Sequence, residues 1–167
     1  LSNIAITALS SAATTFSGQN YGAKNYDRLK KGHLCIPIVS GIITLSFGLM
    51  FIGIRMPILR LFSSDEAVLM YASRYVVVIL LSQWFYAIFN GIMCIVNGTG
   101  KVRYTTVVNL LMLWAVRIPS AYLISRFFDG TYIMLCFPIS FSFGMFCMIG
   151  YYLFSSSWKA LMKQASY

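Results

Sequence analysis

Charged residues divide this sequence into long apolar runs. No Asp, Glu, Lys or Arg lies in 34–54, in 75–97 or in 131–154, and 104–125 is interrupted by Arg117 alone. About 20 helical residues cross a hydrocarbon layer roughly 30 Å thick, so each run predicts a membrane span. Residues 1–17 read as the end of a fifth span, with Ser2, Thr7, Ser10, Ser11, Thr14, Thr15 and Ser17 among Ala and Ile. Small hydroxyl residues allow close helix contact in lipid and can bond their own preceding turn. A spanning segment must be a helix or part of a closed barrel, because lipid offers no partner to backbone N–H and C=O groups. Barrel strands alternate over about ten residues, and these runs are continuous. The predicted fold class is all-α, a polytopic helical membrane protein with four full spans and the end of a fifth.

Composition narrows the choice further. The 167 residues are 59% hydrophobic and 10% charged, with a mean hydropathy of +0.75. A soluble domain is about 25% charged, so a water-soluble globule, a disordered tail and a coiled coil are all excluded. The formal net charge of +9 comes from 13 Lys and Arg against Asp27, Asp65, Glu66 and Asp129. A nucleic-acid binder gathers such charge on one face. Here it sits in short clusters between apolar runs, so the expected partner is membrane lipid and not nucleic acid.

The clusters also orient the chain. Lys24, Arg28, Lys30, Lys31, Lys101, Arg103, Lys159 and Lys163 fall on one side of the predicted bundle, and Arg55, Arg60, Arg74 and Arg126 on the other. The positive-inside bias puts the first group in the cytoplasm and predicts a multi-pass protein of the cell (cytoplasmic) membrane. The sequence begins at Leu1 with no basic segment and no cleavage site after it. It reads as a piece of a longer polypeptide rather than as a signal peptide.

Two connectors carry local signals. In 55–74, Met56, Ile58, Leu59, Leu61 and Phe62 accompany Arg55 and Arg60 in a short amphipathic stretch suited to the interface. Ser63 stands three residues before Glu66, a capping-box spacing, with Asp65 also near the positive end of the next helix. In 18–33, Gly18 and Gly22 punctuate a turn, and Asn25 predicts an N-cap for a short basic helix leading to Gly32.

Polar side chains inside spans are the candidate functional residues. Gln83, Asn90 and Asn97 recur every seven residues and share one helix face, with Tyr86 and Met93 beside it. Asn109, Leu113, Arg117 and Ser120 form a second stripe. Two readings of these stripes are open. They line a substrate cavity, with Trp84, Tyr86, Phe89 and Trp114 as aromatic surface, or they bond between helices. Arg117, near mid-span, must face water, pair or snorkel, and the backbone carbonyl freed by Pro119 offers it a partner. Pro37 and Pro138 predict further kinks.

Catalytic and metal chemistry find little here. Cys35, Cys94, Cys136 and Cys147 lie in apolar runs without ligand spacing and read as small buried hydrophobes. The lone His33 completes neither a zinc site nor a nucleophile–base pair. No cofactor, no metal and no enzymatic activity are expected, and no span carries an acid.

Several stretches together resemble one family. Gly18-Gln19-Asn20-Tyr21-Gly22-Ala23 with Tyr26-Asp27-Arg28 is similar to the signature after the eighth span of multidrug and toxic compound extrusion (MATE) transporters. Leu59-Arg60-Leu61-Phe62-Ser63-Ser64-Asp65 resembles that family's loop between spans nine and ten. Asn97-Gly98-Thr99-Gly100-Lys101 resembles the turn after the tenth. Leu113 to Leu123, with Trp114, Arg117 and Pro119, is similar to the eleventh span, and Trp158-Lys159 to the C-terminal end. The resemblance implies a partial six-helix C-terminal lobe over 1–167, facing an N-terminal lobe of the same polypeptide across a central cavity. It also implies cation-coupled antiport, driven by H+ or Na+, of small organic and often cationic drugs. Gln83, Tyr86, Asn90, Asn109 and Trp114 would then be substrate-cavity residues, with Arg117 a structural intramembrane charge. Some members hold the coupling ion on an acid in the seventh or tenth span. The 75–97 run has none, so coupling would rest elsewhere in the polypeptide. The alternatives are a related lipid-linked oligosaccharide flippase or polysaccharide exporter, and a non-transporting membrane scaffold subunit.

Overall fold

A computed structural model describes residues 2–128, 130–155 and 158, with side chains from Ile6 onward. Ser2 (as a side chain), Asp129, Lys159 and Lys163 therefore lie outside the described residues. The described secondary structure is helical throughout. In chain order it comprises α1 (Ser2–Gly22), α2 (Tyr26–Gly53), α3 (Arg55–Arg60), α4 (Glu66–Gly98) and α5 (Val102–Leu110). A π segment (Leu111–Arg117) then leads into α6 (Ile118–Phe127), and a 3₁₀ turn (Gly130–Leu135) into α7 (Cys136–Phe154). Four continuous helical stretches are long and apolar enough to cross a membrane: Tyr26–Gly53, Glu66–Gly98, Val102–Phe127 and Gly130–Phe154.

The helices begin earlier than the apolar runs inside them, because hydropathy marks what meets lipid and capping marks where a helix starts. Asn25 Oδ1 accepts from the Arg28 N–H and opens α2. The basic first turns continue directly into the span; they are not a separate helix ending at Gly32. That glycine is buried against the Phe16 ring, where no Cβ would fit. At α4 the cap is Asp65 and not Ser63. Asp65 Oδ1 accepts from Ala67 N at 2.8 Å and Val68 N at 3.4 Å, while Ser63 Oγ accepts from Asp65 N. A carboxylate facing two free N–H groups at the positive helix end outcompetes a hydroxyl.

Both turns between the long helices on the basic side close with one motif. After α1, Lys24 N bonds Tyr21 O and Asn25 N bonds Asn20 O, with Lys24 at φ +56°. After α4, Gly100 N bonds Asn97 O and Lys101 N bonds Val96 O, with Gly100 at φ +81°. These paired bonds are the Schellman pattern. The second turn uses the residue suited to positive φ; the first ends α1 beyond Gly22 and places a lysine there.

The expected proline kinks resolve differently. Pro37 lies inside the unbroken α2, packed on α4 at Gly91, where a Cβ would come within 2.9 Å of Pro37 Cα. Pro138 falls in the first turn of α7, just past the 3₁₀ turn, a position that tolerates proline. Just before Pro119, the Ile118 N–H reaches back to Leu113 O in the π pattern. Local π adjustment is one way a span re-satisfies backbone near proline.

α4 is the hub and packs against α1, α2 and α7. The α1–α4 seam is very close. A Cβ on Gly98 would lie 2.6 Å from Ser17 Cβ and 2.7 Å from Thr14 O, and Ser17 Oγ donates to Ile95 O at 2.6 Å. The core runs from Phe89, Ile92, Ile95 and Val96 on α4 to Val108, Met112, Phe141, Met145 and Met148, closing on Leu29 and Trp158. Outward faces stay apolar: Ile42 is 60% and Phe146 66% exposed. Such surface is tolerated where the surrounding medium is hydrocarbon. Cys35 belongs to this outer surface and is not buried, whereas Cys94 and Cys136 are.

Candidate functional site

Alternate faces of four helical stretches leave an open cavity of about 650 Å³. α1 contributes Ile6, Thr7 and Ser10. α4 contributes Tyr75, Ile79, Gln83, Tyr86, Asn90 and Met93, stepping by three or four residues along one face. The α5–π span supplies Asn109, Met112, Leu113 and Arg117, and α7 supplies Phe137 and Phe141. The cavity lies toward the starts of α1 and α7 and along the middle of α4.

Of the residues singled out from sequence, Gln83, Tyr86, Asn90, Asn109 and Arg117 meet in this one cavity. Trp114 does not. It follows Leu113 by one residue, which turns it onto the outer surface, where it is 64% exposed. Asn97 also stands apart, accepting from Thr105 Oγ1 beside the turn after α4. Ser120 bonds back to Val116 O, Trp84 packs on Phe85, and Phe89 is fully buried in the core.

Each polar group is held differently. Asn90 is buried, and its Oδ1 accepts from Ser10 Oγ at 3.0 Å and from Cys94 Sγ at 3.5 Å. Gln83 Oε1 is buried with no hydrogen-bond partner among the described residues. An unpaired buried amide oxygen costs roughly 1–3 kcal/mol, and this one is closed off from the cavity that the rest of the residue lines. Tyr86 packs its ring 4.9 Å from that of Phe141. Arg117 Nε donates to Ser140 Oγ at 3.2 Å, and its guanidinium carbon lies 5.0 Å from the ring centroids of both Phe137 and Phe141. Its side chain bonds α7 and not the carbonyl freed by Pro119.

Sequence reasoning missed several lining residues. Tyr75 and Ile79 were recoverable, since they extend the Gln83 stripe by eight and four residues toward the N-terminus. The Ser10–Asn90 pair gave no local signal, because its partners are 80 residues apart. Among the described residues no group of three His, Cys, Asp or Glu side chains could hold a metal. The described acids, Asp27, Asp65 and Glu66, all sit at helix starts away from the cavity.

Helices of membrane-spanning length around a polar, aromatic-lined recess define a multi-pass membrane protein with a cavity between its spans. The MatE family profile matches residues 2–123, and the chain belongs to that family. It is 27% identical over 161 residues to the probable multidrug resistance protein YoeA of Bacillus subtilis (strain 168), an alignment covering 91% of this chain and 33% of the relative. It is 25% identical over 125 residues to the probable multidrug resistance protein NorM of Thermotoga maritima, covering 72% of this chain and 26% of that protein. The chain thus spans about a third or less of the length of these relatives. No solved structure matches it.

Proposed function

We propose that this chain is part of a secondary active transporter that exports small organic compounds from the cell, and that it forms one wall of the substrate cavity. The observation that carries this reading is the meeting of Gln83, Tyr86, Asn90 and Asn109, from two separate spans, around one recess. Membership of the MatE family and similarity to two proteins named for multidrug resistance support it. Neutral amides offer hydrogen bonds in either direction, and the aromatic rings offer dispersion contact. Several weak contacts of this kind suit a site that accepts varied molecules.

In this reading residues 1–167 are most of a C-terminal lobe, seated in the cytoplasmic membrane with the turns at Lys24 and Gly100 inside the cell. An N-terminal lobe of the same polypeptide supplies the opposite wall. Export is coupled to H+ or Na+, and the coupling acid belongs to the N-terminal half or to the seventh span, since the described lining contains none. The test is Gln83→Ala and Asn90→Ala in the full-length polypeptide. Resistance to organic toxicants should fall at least several-fold while membrane expression stays normal; unchanged resistance would remove the cavity from transport.

A further inference from the structure

Arg117 is a fixed positive charge in a recess whose described lining holds no acid to neutralise it. Its posture is set by three contacts. Nε is engaged by Ser140 Oγ, itself anchored to Phe137 O, and the guanidinium lies against the Phe137 and Phe141 rings. The two terminal nitrogens donate to no described residue and are not sealed within the protein. They present a planar fork whose geometry matches a carboxylate. Beside that fork, the Phe141 ring and the Tyr86 ring packed on it form an aromatic wall. A positive charge with no described acid beside it attracts an anion and repels a cation at the same spot.

We infer that Arg117 makes this part of the cavity a receptor for the carboxylate of an aromatic acid or zwitterion. This rests on the transport-cavity reading above and narrows its substrate class. The carboxylate pairs with the terminal guanidinium nitrogens, and the attached ring packs on Tyr86 and Phe141. Ser140 is a positioning residue that holds Nε and so aims the fork.

The test compares three probes sharing one ring system, naphthalene-2-carboxylate, its carboxamide and 2-naphthylmethylammonium, binding to the purified full-length polypeptide in detergent. The carboxylate should bind at least tenfold more tightly than the carboxamide. Arg117→Gln should bring the two within twofold while leaving carboxamide affinity unchanged, and Arg117→Lys should keep an intermediate preference. Ser140→Ala, which keeps the charge but frees Nε, should cut the preference several-fold; it serves as the test should Arg117→Gln not fold. A parent protein without preference for the acid overturns the inference, as does a preference that survives Arg117→Gln or, where that variant does not fold, Ser140→Ala. Arg117-dependent binding of phosphatidylglycerol without discrimination among the probes also overturns it, assigning the guanidinium to a lipid phosphate. Equal binding of all three probes, weakened by Gln83→Ala, removes the carboxylate subsite and leaves the cavity. No binding of any probe, together with unchanged resistance in Gln83→Ala and Asn90→Ala, removes both.

Discussion

Ser10 Oγ donates to Asn90 Oδ1 at 3.0 Å, so a hydroxyl on α1 fixes the orientation of an amide that lines the cavity from α4. With that oxygen engaged, the Asn90 amide nitrogen remains for a ligand. Hydrogen bonds between membrane helices average about 0.6 kcal/mol. Ser10→Ala should therefore lower stability by about that amount, read as a small drop in detergent melting temperature. Loss of ligand affinity should be larger for Asn90→Ala than for Ser10→Ala, because only the first removes a group facing the ligand. Equal affinities for the two variants would show that Asn90 serves the helix seam alone.

The two turns on the basic side make a matched pair for a second experiment. Lys24 holds a left-handed conformation that costs a side chain roughly 1 kcal/mol, and Gly100 holds it freely. Lys24→Gly should raise stability by up to about 1 kcal/mol, while Gly100→Ala should lower it by a similar amount although its Cβ would meet open space. Thermal unfolding of the two variants in one detergent checks both signs.

Helix capping at α4 gives a third. Asp65→Ala removes the acceptor for two N–H groups and should cost about 1 kcal/mol. Ser63→Ala, which loses only a bond to the Asp65 N–H, should cost less than half as much. The ranking would reverse if Ser63 and Glu66 formed the capping box that their spacing suggests.

Aromatic residues near the cavity separate by direction. Tyr86→Ala should reduce affinity for organic ligands several-fold, whereas Trp114→Ala should leave it within twofold, since Trp114 projects from the opposite side of its span. Equilibrium binding to both variants decides this.

The spans are legible in the sequence because an uncharged apolar run of 20 or so residues suits hydrocarbon and little else, and the α4 stripe follows from a seven-residue spacing. Other features depend on packing between distant parts of the chain. Asn97 shares the periodicity of Gln83 and Asn90 but lies beyond the cavity, where Thr105 claims it. Helical angle alone carries no information about depth. Residue type groups Trp114 with the site, and a single step around the helix from Leu113 takes it away. Asp65 displaces Ser63 as the cap because charge outweighs spacing at a helix start. The left-handed Lys24 has no sequence signal, because the neighbouring Gly22 looks the better turn residue.

The close seam between α1 and α4 has a mechanical consequence. With Ser17 bonded to the Ile95 carbonyl and no room at Gly98 for even a methyl group, these two helices have no slack in which to slide and must travel as one beam. α2, locked to the same beam where Pro37 meets Gly91, goes with them. The span bearing Asn109 and Arg117 is the least buried of the four and packs less on α4 than α1, α2 and α7 do, so it is the wall of the recess least tied to that beam.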